Sequence, residues 1–367
     1  MSAQLFYEAI SRFEAACHVD VLPHGHRARR MHGHSYIVRA RTPANAQAKR
    51  QAGVGLVELS NSLSASSEAL NYSLLNETID VPTDENLARW FRDKMDQPGL
   101  TIGIQSTTDA GADLLDSEQV HIWRRFRFEA AHMLPNVAPG HKCGRMHGHG
   151  FEVVIHVQQA LANSDAMGLD FDLIENKWQV LHAQLHNKCL NDIAGLENPT
   201  SELLAAWIWK QLKPELSELS WISVYETKSS GCHHDGARFR IWKEQSFESA
   251  VRLLQPEDSR AAAQLSGHSF LVRLHLGCDL DDLLGWTVDY SDVKERFRSC
   301  YERMDHHCLN DIDTLAEASL ENVLEWMRIS LADSLPELDR IDLYETPGCG
   351  AVLCWGDEVP ALPTKSL

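Results

Sequence analysis

The residues best equipped for chemistry in this chain are three histidines and a cysteine. His147 and His149 lie in CGRMHGH, His132 lies upstream in FEAAH, and Cys143 stands four positions before the first of the pair. Side chains two apart on a β-strand share a face, so His147 and His149 can present two imidazoles side by side, with the third supplied from a neighbouring strand. Three neutral imidazoles with one open position form a catalytic type of zinc site, whereas structural zinc usually takes four protein ligands, often several of them thiolates. Cys143 is flanked by Lys142 and Arg145, a setting expected to lower a thiol pKa and favour the reactive thiolate. Taken alone, one His-Gly-His also fits a hairpin edge that touches only solvent.

The elements that must position these residues are written three times. FRFEAAH at 126–132 returns as SRFEAACH at 12–18 and QSFESAV at 245–251, and MHGHGF at 146–151 returns as MHGHSY at 31–36 and LSGHSF at 265–270. An offset of 119 separates His149 from His268, Asn191 from Asn310 and Glu226 from Glu345, and an offset of 115 separates His32 from His147 and Asn76 from Asn191. Fixed-period self-similarity of this kind means repeated structural units. Each unit opens with two strand-like runs rich in branched and aromatic residues, such as WRRFRFEAAH and HGFEVVIHVQ. A helix follows, with apolar stripes Ile174, Trp178, Leu181, Leu185 and Val293, Phe297, Cys300, Met304. Asp172 suits its N-cap. A second helix starts near Pro82-Thr83 and Pro199-Thr200, and its Trp207 reads as core. A closing pair such as WISVYET and ARFRIWKE completes the order ββααββ.

No Gly/Ser- or Pro-rich spacer separates VHIWRR from FRFEAAH, or ARFRIWKE from QSFESA, so the units are expected to pack directly and extend one sheet or barrel. Their boundaries are set at 1–124, 125–243 and 244–367. Residues 42–51 and 109–118 and the tail from Gly356 read as solvated connections. His182, His186, His233 and His234 read as surface imidazoles, and Cys189 and Cys300 as buried small hydrophobes.

Composition narrows the function classes. A chain of 367 residues with 44% hydrophobic content can bury large cores. A net charge of −18 argues against a nucleic-acid partner, although an anionic small molecule fits the local positive charge at Lys142 and Arg145. No stretch approaches a membrane span and no signal segment opens the chain, so a cytoplasmic location with no membrane partner is expected. Nine scattered cysteines fit free thiols.

The combination FEAAH, CxxxHGH, an LDHxxLN-like segment, PTSE and YET, repeated along nearly the whole chain, resembles the 6-pyruvoyltetrahydropterin synthase and 6-carboxytetrahydropterin synthase family. The resemblance implies an α+β tunnelling fold. Three tandem ββααββ units would close into a pseudo-trimeric antiparallel β-barrel with helices outside, and a homodimer would form a pseudo-hexamer. It also implies zinc held by His132, His147 and His149 in the second unit and by His18, His32 and His34 in the first, two ions per chain. In the third unit Val251 and Ser266 replace two ligands and leave His268 alone.

Carried over in the same way, Cys143 is the base, matched by Ala28 and Ala262 elsewhere. Asp305 and His306 form a proton relay, matched by His186-Asn187 and Asn71-Tyr72. Glu226 and Glu345, with Ser106 in the first unit, anchor the pterin, and Thr200 and Glu202 of PTSE bind substrate. Because relatives build the site between subunits, the expected complete site joins the second unit's metal to the third unit's relay within one chain. The implied enzyme acts on 7,8-dihydroneopterin triphosphate and releases triphosphate. Cys143 spacing resembles the 6-carboxytetrahydropterin branch of queuosine biosynthesis. The alternatives are a 6-pyruvoyltetrahydropterin synthase and a non-catalytic pterin- or purine-binding zinc protein.

Overall fold

The structure, a computed structural model, describes residues 3–44, 54–115, 119–159, 169–252, 265–277, 279–280 and 285–356. The first unit contains β1 (Gln4–Cys17), β2 (His32–Pro43), α1 (Val54–Glu68), β3 (Ser73–Leu74), α2 (Asp84–Met95), β4 (Thr101–Thr107) and β5 (Ala110–Leu114). The second repeats the order with β6 (Val120–His132), β7 (His147–Gln159), α3 (Phe171–Leu185), β8 (Lys188–Cys189), α4 (Ser201–Leu212), β9 (Leu219–Thr227) and β10 (Ser230–His234). The third has β11 (Phe239–Val251), β12 (Ser266–Gly277), α5 (Tyr290–Met304), β13 (His307–Cys308), α6 (Leu320–Leu331), β14 (Leu338–Thr346) and β15 (Cys349–Cys354).

Twelve strands close into an antiparallel barrel in the order β10-β9-β7-β6-β5-β4-β2-β1-β15-β14-β12-β11, with β11 returning to β10. The two-residue strands β3, β8 and β13 add in parallel to β1, β6 and β11. Closure removes every long edge. It also fixes the cyclic order of the units, since β5 pairs with β6, β10 with β11 and β15 with β1.

Alternation along the strands sorts two buried faces. Val38 and Ala40, Val153 and Ile155, and Val272 and Leu274 face the helices in one apolar core. There the stacked pairs Phe13–Tyr36, Phe128–Phe151 and Phe247–Phe270 recur at 4.8, 5.0 and 5.1 Å. The intervening residues, including Arg39, Arg41, His156, Arg273 and His275, form a buried polar lining. Its charges are paired, as in Arg41–Glu8 and Arg340–Asp342, each at 2.6 Å.

Several expectations need correction. ARFRIWKE is not the last strand of the second unit. It opens β11, just as VHIWRR opens β6, so boundaries at 124/125 and 243/244 fall inside single strands. The true closing strands are the short β5, β10 and β15, and residues 110–114, expected as a solvated connection, are buried as β5. AGADL lacks β-branched residues because it lies under an aromatic ring: a Cβ on Gly111 would stand 2.6 Å from Trp123 Cζ2. Residues 45–51 and the tail beyond Gly356 lie outside the described residues. The N-cap of α3 is Asp170, whose side chain accepts from Asp172 N–H, rather than Asp172. His233 and His234 are not surface imidazoles. His234 is buried, and burial holds His233, bonded to Ser223 Oγ, well below the usual histidine range.

Candidate functional site

The β6–β7 hairpin pairs His132 with His147 and Ala130 with His149. This register gathers three imidazoles at its end, tilted or edge-on to one another, with ring centroids 4.5, 5.1 and 5.0 Å apart. Gly148 sits between two of them because the strands approach closely there, and a Cβ would lie 3.3 Å from the Ala130 carbonyl oxygen. His132 Nδ1–H donates to Pro199 O at 3.0 Å and His147 Nδ1–H to Arg145 O at 2.7 Å, so each ring turns Nε2 toward the others. One ligand atom from each histidine and one Glu226 oxygen lie within 4.8 Å of one another. Nε2 of His132 and of His149 is buried without a hydrogen-bond partner. Burial pushes His132 down to about 4 and lowers His149, keeping both neutral. Imidazole nitrogens of this kind, two of them orphaned and two of the three rings backed by carbonyls, fit the donor set of a divalent zinc.

Cys143 lies on a single helical turn, Lys142–Gly144, half-buried. His141 holds that turn from both sides. Its Nδ1 accepts from Cys143 N–H at 3.2 Å, and its Nε2 stands 3.2 Å from Asp289 Oδ2. Asp289 belongs to the third unit, where its side chain caps α5 through Ser291 N–H. Contrary to the expected lowering, burial pushes the Cys143 thiol up, with Glu226 and Asp289 adding to the rise and Lys142 opposing it. Those two carboxylates are distant in sequence, so only the cationic neighbours are visible there.

Glu226 Oε1 lies 3.5 Å from His149 Nε2. Burial, then Glu202 and Asp289, push its carboxyl up to about 7 against the pull of Lys142 and Lys243. A cavity of about 690 Å³ joins these groups, walled by Thr200, Glu202 and Glu226 from the second unit and by Lys243, Trp286, Asp289, Tyr290 and Lys294 from the third. Lys142 and Arg145 add to its rim of cations. Thr200 and Glu202 bind the third unit's segment before α5. Thr200 donates to Gly285 O, and Glu202 Oε1 accepts from Thr287 N–H at 3.0 Å. Glu345 stands apart, beside His268 and Glu321 in the third unit.

The expected junction with Asp305 and His306 does not form inside one chain. Neither residue lines the cavity. Asp305 accepts from Glu248 N–H at 3.0 Å and His306 N–H donates to Glu248 O, tying the pair to its own unit's β11. The cavity touches α5 at Asp289 and Tyr290, one end of a 15-residue helix, and Asp305 caps the other end, roughly 20 Å away. Asp305 Oδ2 bonds His306 Nδ1 at 2.9 Å, and the imidazole is 77% exposed. Because β1, β6 and β11 run in the same direction around the barrel, this pair, with its exposed imidazole, occupies the same rim as the His147 turn.

The first unit corrects another expectation. The residue opposite His32 is Cys17, so the triplet is Cys17, His32 and His34. His18 is one position beyond, its Nδ1 3.1 Å from Asp20. The offset of 115 already points to Cys17 as the counterpart of His132; matching by residue type obscured it. Ala28 occupies the place of Cys143, and Ser106, in the place of Glu226, donates to Asp84 Oδ2 at 2.7 Å. In the third unit Val251 pairs with Ser266 and Ser249 with His268. The same offsets identify groups that the motif search missed, since Lys243 corresponds to Arg124, Lys294 to Glu175 and Asp289 to Asp170.

The family model described as 6-pyruvoyl tetrahydropterin synthase matches the chain three times, at residues 8–107, 121–237 and 240–354. A 6-carboxy-5,6,7,8-tetrahydropterin synthase from Synechocystis sp. is 35% identical over 123 residues, spanning 32% of this chain and 94% of that protein. The structure of the Caenorhabditis elegans 6-pyruvoyl tetrahydropterin synthase aligns at 20% identity and a TM-score of 0.30, over 32% of this chain and 96% of its own. A uricase from Arthrobacter globiformis aligns at 10% identity and a TM-score of 0.34, over 60% of this chain and 80% of its own.

Proposed function

The chain belongs to the 6-pyruvoyl tetrahydropterin synthase family, and from that premise we propose that it is a zinc-dependent pterin synthase acting on 7,8-dihydroneopterin triphosphate, with triphosphate as leaving group and 6-carboxytetrahydropterin as product. The observation that carries this reading is one cavity. In it the imidazoles of His147 and His149, the thiol of Cys143, the carboxylate of Glu226 and the cations Lys142, Arg145, Lys243 and Lys294 converge across the second and third units, with the buried His132 grouped beside the two histidines.

His132, His147 and His149 would hold the zinc, which supplies Lewis-acid polarisation of substrate oxygens. Glu226, once ionised, accepts two hydrogen bonds from the aminopyrimidine edge of the pterin. Trp286 offers an aromatic wall for the ring, and the lysines face the triphosphate. Cys143, once ionised to the thiolate, removes a side-chain proton as general base, on a turn that His141 and Asp289 fix in place. The proton relay comes from a second copy of the chain. His306 is exposed, with Asp305 half-buried beside it, on the rim that also carries the Cys143 turn, and two chains set rim to rim with the second unit over the partner's third unit would supply the pair. Such a twofold dimer has two identical complete sites.

Incubation with 7,8-dihydroneopterin triphosphate tests the assignment. Release of triphosphate together with acetaldehyde is expected. Triphosphate without acetaldehyde would redirect the assignment to 6-pyruvoyltetrahydropterin, and neither product would leave a binding protein.

A further inference from the structure

We propose that the first unit holds a second metal ion through a mixed thiolate–imidazole set, Cys17, His32 and His34, which pins β1 to β2 as a structural tie. The hairpin register is that of the second unit: Cys17 pairs with His32 and Ala15 with His34, as His132 pairs with His147 and Ala130 with His149. One ligand atom from each of the three residues lies within 4.8 Å of the others. Cys17 Sγ is 3.7 Å from His32 Nε2. That is long for a hydrogen bond but close to the roughly 3.6 Å that separates sulfur and nitrogen on a tetrahedral zinc.

The surrounding groups orient all three donors. His32 Nδ1–H donates to Arg30 O at 2.7 Å, which directs Nε2 toward Cys17, and His34 bonds the Ser106 backbone. Tyr36 OH lies 3.6 Å from Cys17 Sγ, a hydroxyl within reach of the thiolate. Cys17 itself is buried and free of any disulfide.

The third unit illustrates the alternative. There two of the three donor positions became Val251 and Ser266, and no metal set remains among the described residues. The first unit lost the base and the carboxylate, to Ala28 and Ser106, yet keeps three donors with a softer one in place of imidazole. A thiolate binds zinc strongly and neutralises part of its charge, so this ion is a weaker Lewis acid than one on three neutral imidazoles.

Replacing zinc with cobalt(II) tests the proposal without any assay of turnover, independently of the pterin reading. The unmodified protein should show a near-ultraviolet sulfur-to-cobalt charge-transfer band. That band should persist in Cys143→Ala and in His147→Ala and vanish in Cys17→Ala, while the visible cobalt bands of the second unit remain in Cys17→Ala. Zinc content should fall from two per chain to one in Cys17→Ala. Absence of the band in the unmodified protein, or its survival in Cys17→Ala, overturns the assignment. Should Cys17→Ala fail to fold, X-ray absorption at the zinc edge of the Cys143→Ala protein decides. One sulfur neighbour at about 2.3 Å shared over two zinc ions supports the site, and an all-nitrogen and oxygen shell refutes it.

Discussion

The two described interfaces between successive units use the same latch on opposite electrostatics. At the first, His26 reaches Asp170 and Asp172 at 3.6 and 3.5 Å. There Arg27 is neutralised by Asp172 and Arg124 by Glu175, each at 2.7 Å. At the second, His141 reaches Asp289 in the same way. The counterparts of those two acids in α5 are Ser291 and Lys294, so Lys142 and Lys243 have no ion-pair partner among the described residues. The latch holds the Cys143 turn, and the first turn of the following helix decides whether the cavity is cationic. In a chain of net charge −18, this local reversal leaves the second interface suited to a polyanion and the first unsuited to one.

The sharpest test of that contrast removes the group only the second interface has. Cys143→Ala should lower turnover by roughly 10²–10⁴-fold, the range of a general base, with zinc content unchanged by elemental analysis. Ala28→Cys should not create a second active site, because Ser106 and the paired arginines remain. His306→Ala should cause a comparable loss. Mixing Cys143→Ala chains with His306→Ala chains should recover about one quarter of the original rate, since half of randomly formed dimers are mixed and each carries one intact site. No recovery would return the relay to a single chain or remove it from the reaction.

Smaller effects should follow the charges. Lys294→Glu recreates the acid of the first interface and should raise KM for the triphosphate substrate about tenfold, with a shallower dependence on salt and little change in Tm. The reverse pair, Asp172→Ser with Glu175→Lys, should add a second weak site for inorganic triphosphate, readable as binding stoichiometry in calorimetry. Asp289→Asn keeps the cap of α5 but weakens the latch, and should reduce kcat a few-fold while leaving KM nearly unchanged.

Much of the fold was legible because repetition reveals it. The apolar stripe of α3 and the starts of α2 and α4 at Thr83 and Thr200 are local patterns, and Ile174, Trp178, Leu181 and Leu185 are buried as their spacing requires. Strands β5 and β10 were not legible, because each is short and sets a glycine, Gly111 or Gly231, beneath a tryptophan in place of a β-branched side chain. Cys17 escaped because a histidine stood next to it, and residue type was weighed above the offset of 115. The cations Lys243 and Lys294 belong to no motif and acquire meaning only where two units meet.

The sequence by itself determined three homologous units, a histidine set in the second with Cys143 beside it, and the loss of two of the three donors in the third, since these follow from residue type and spacing along one hairpin. Tertiary structure alone decided which groups share a cavity. It brought Asp289 and Lys294 to Cys143, raised the thiol instead of lowering it, and carried Asp305 and His306 to the far end of α5. The reason is physical: a rigid helix separates its two ends by a fixed length, and barrel closure chooses which end meets the neighbouring unit.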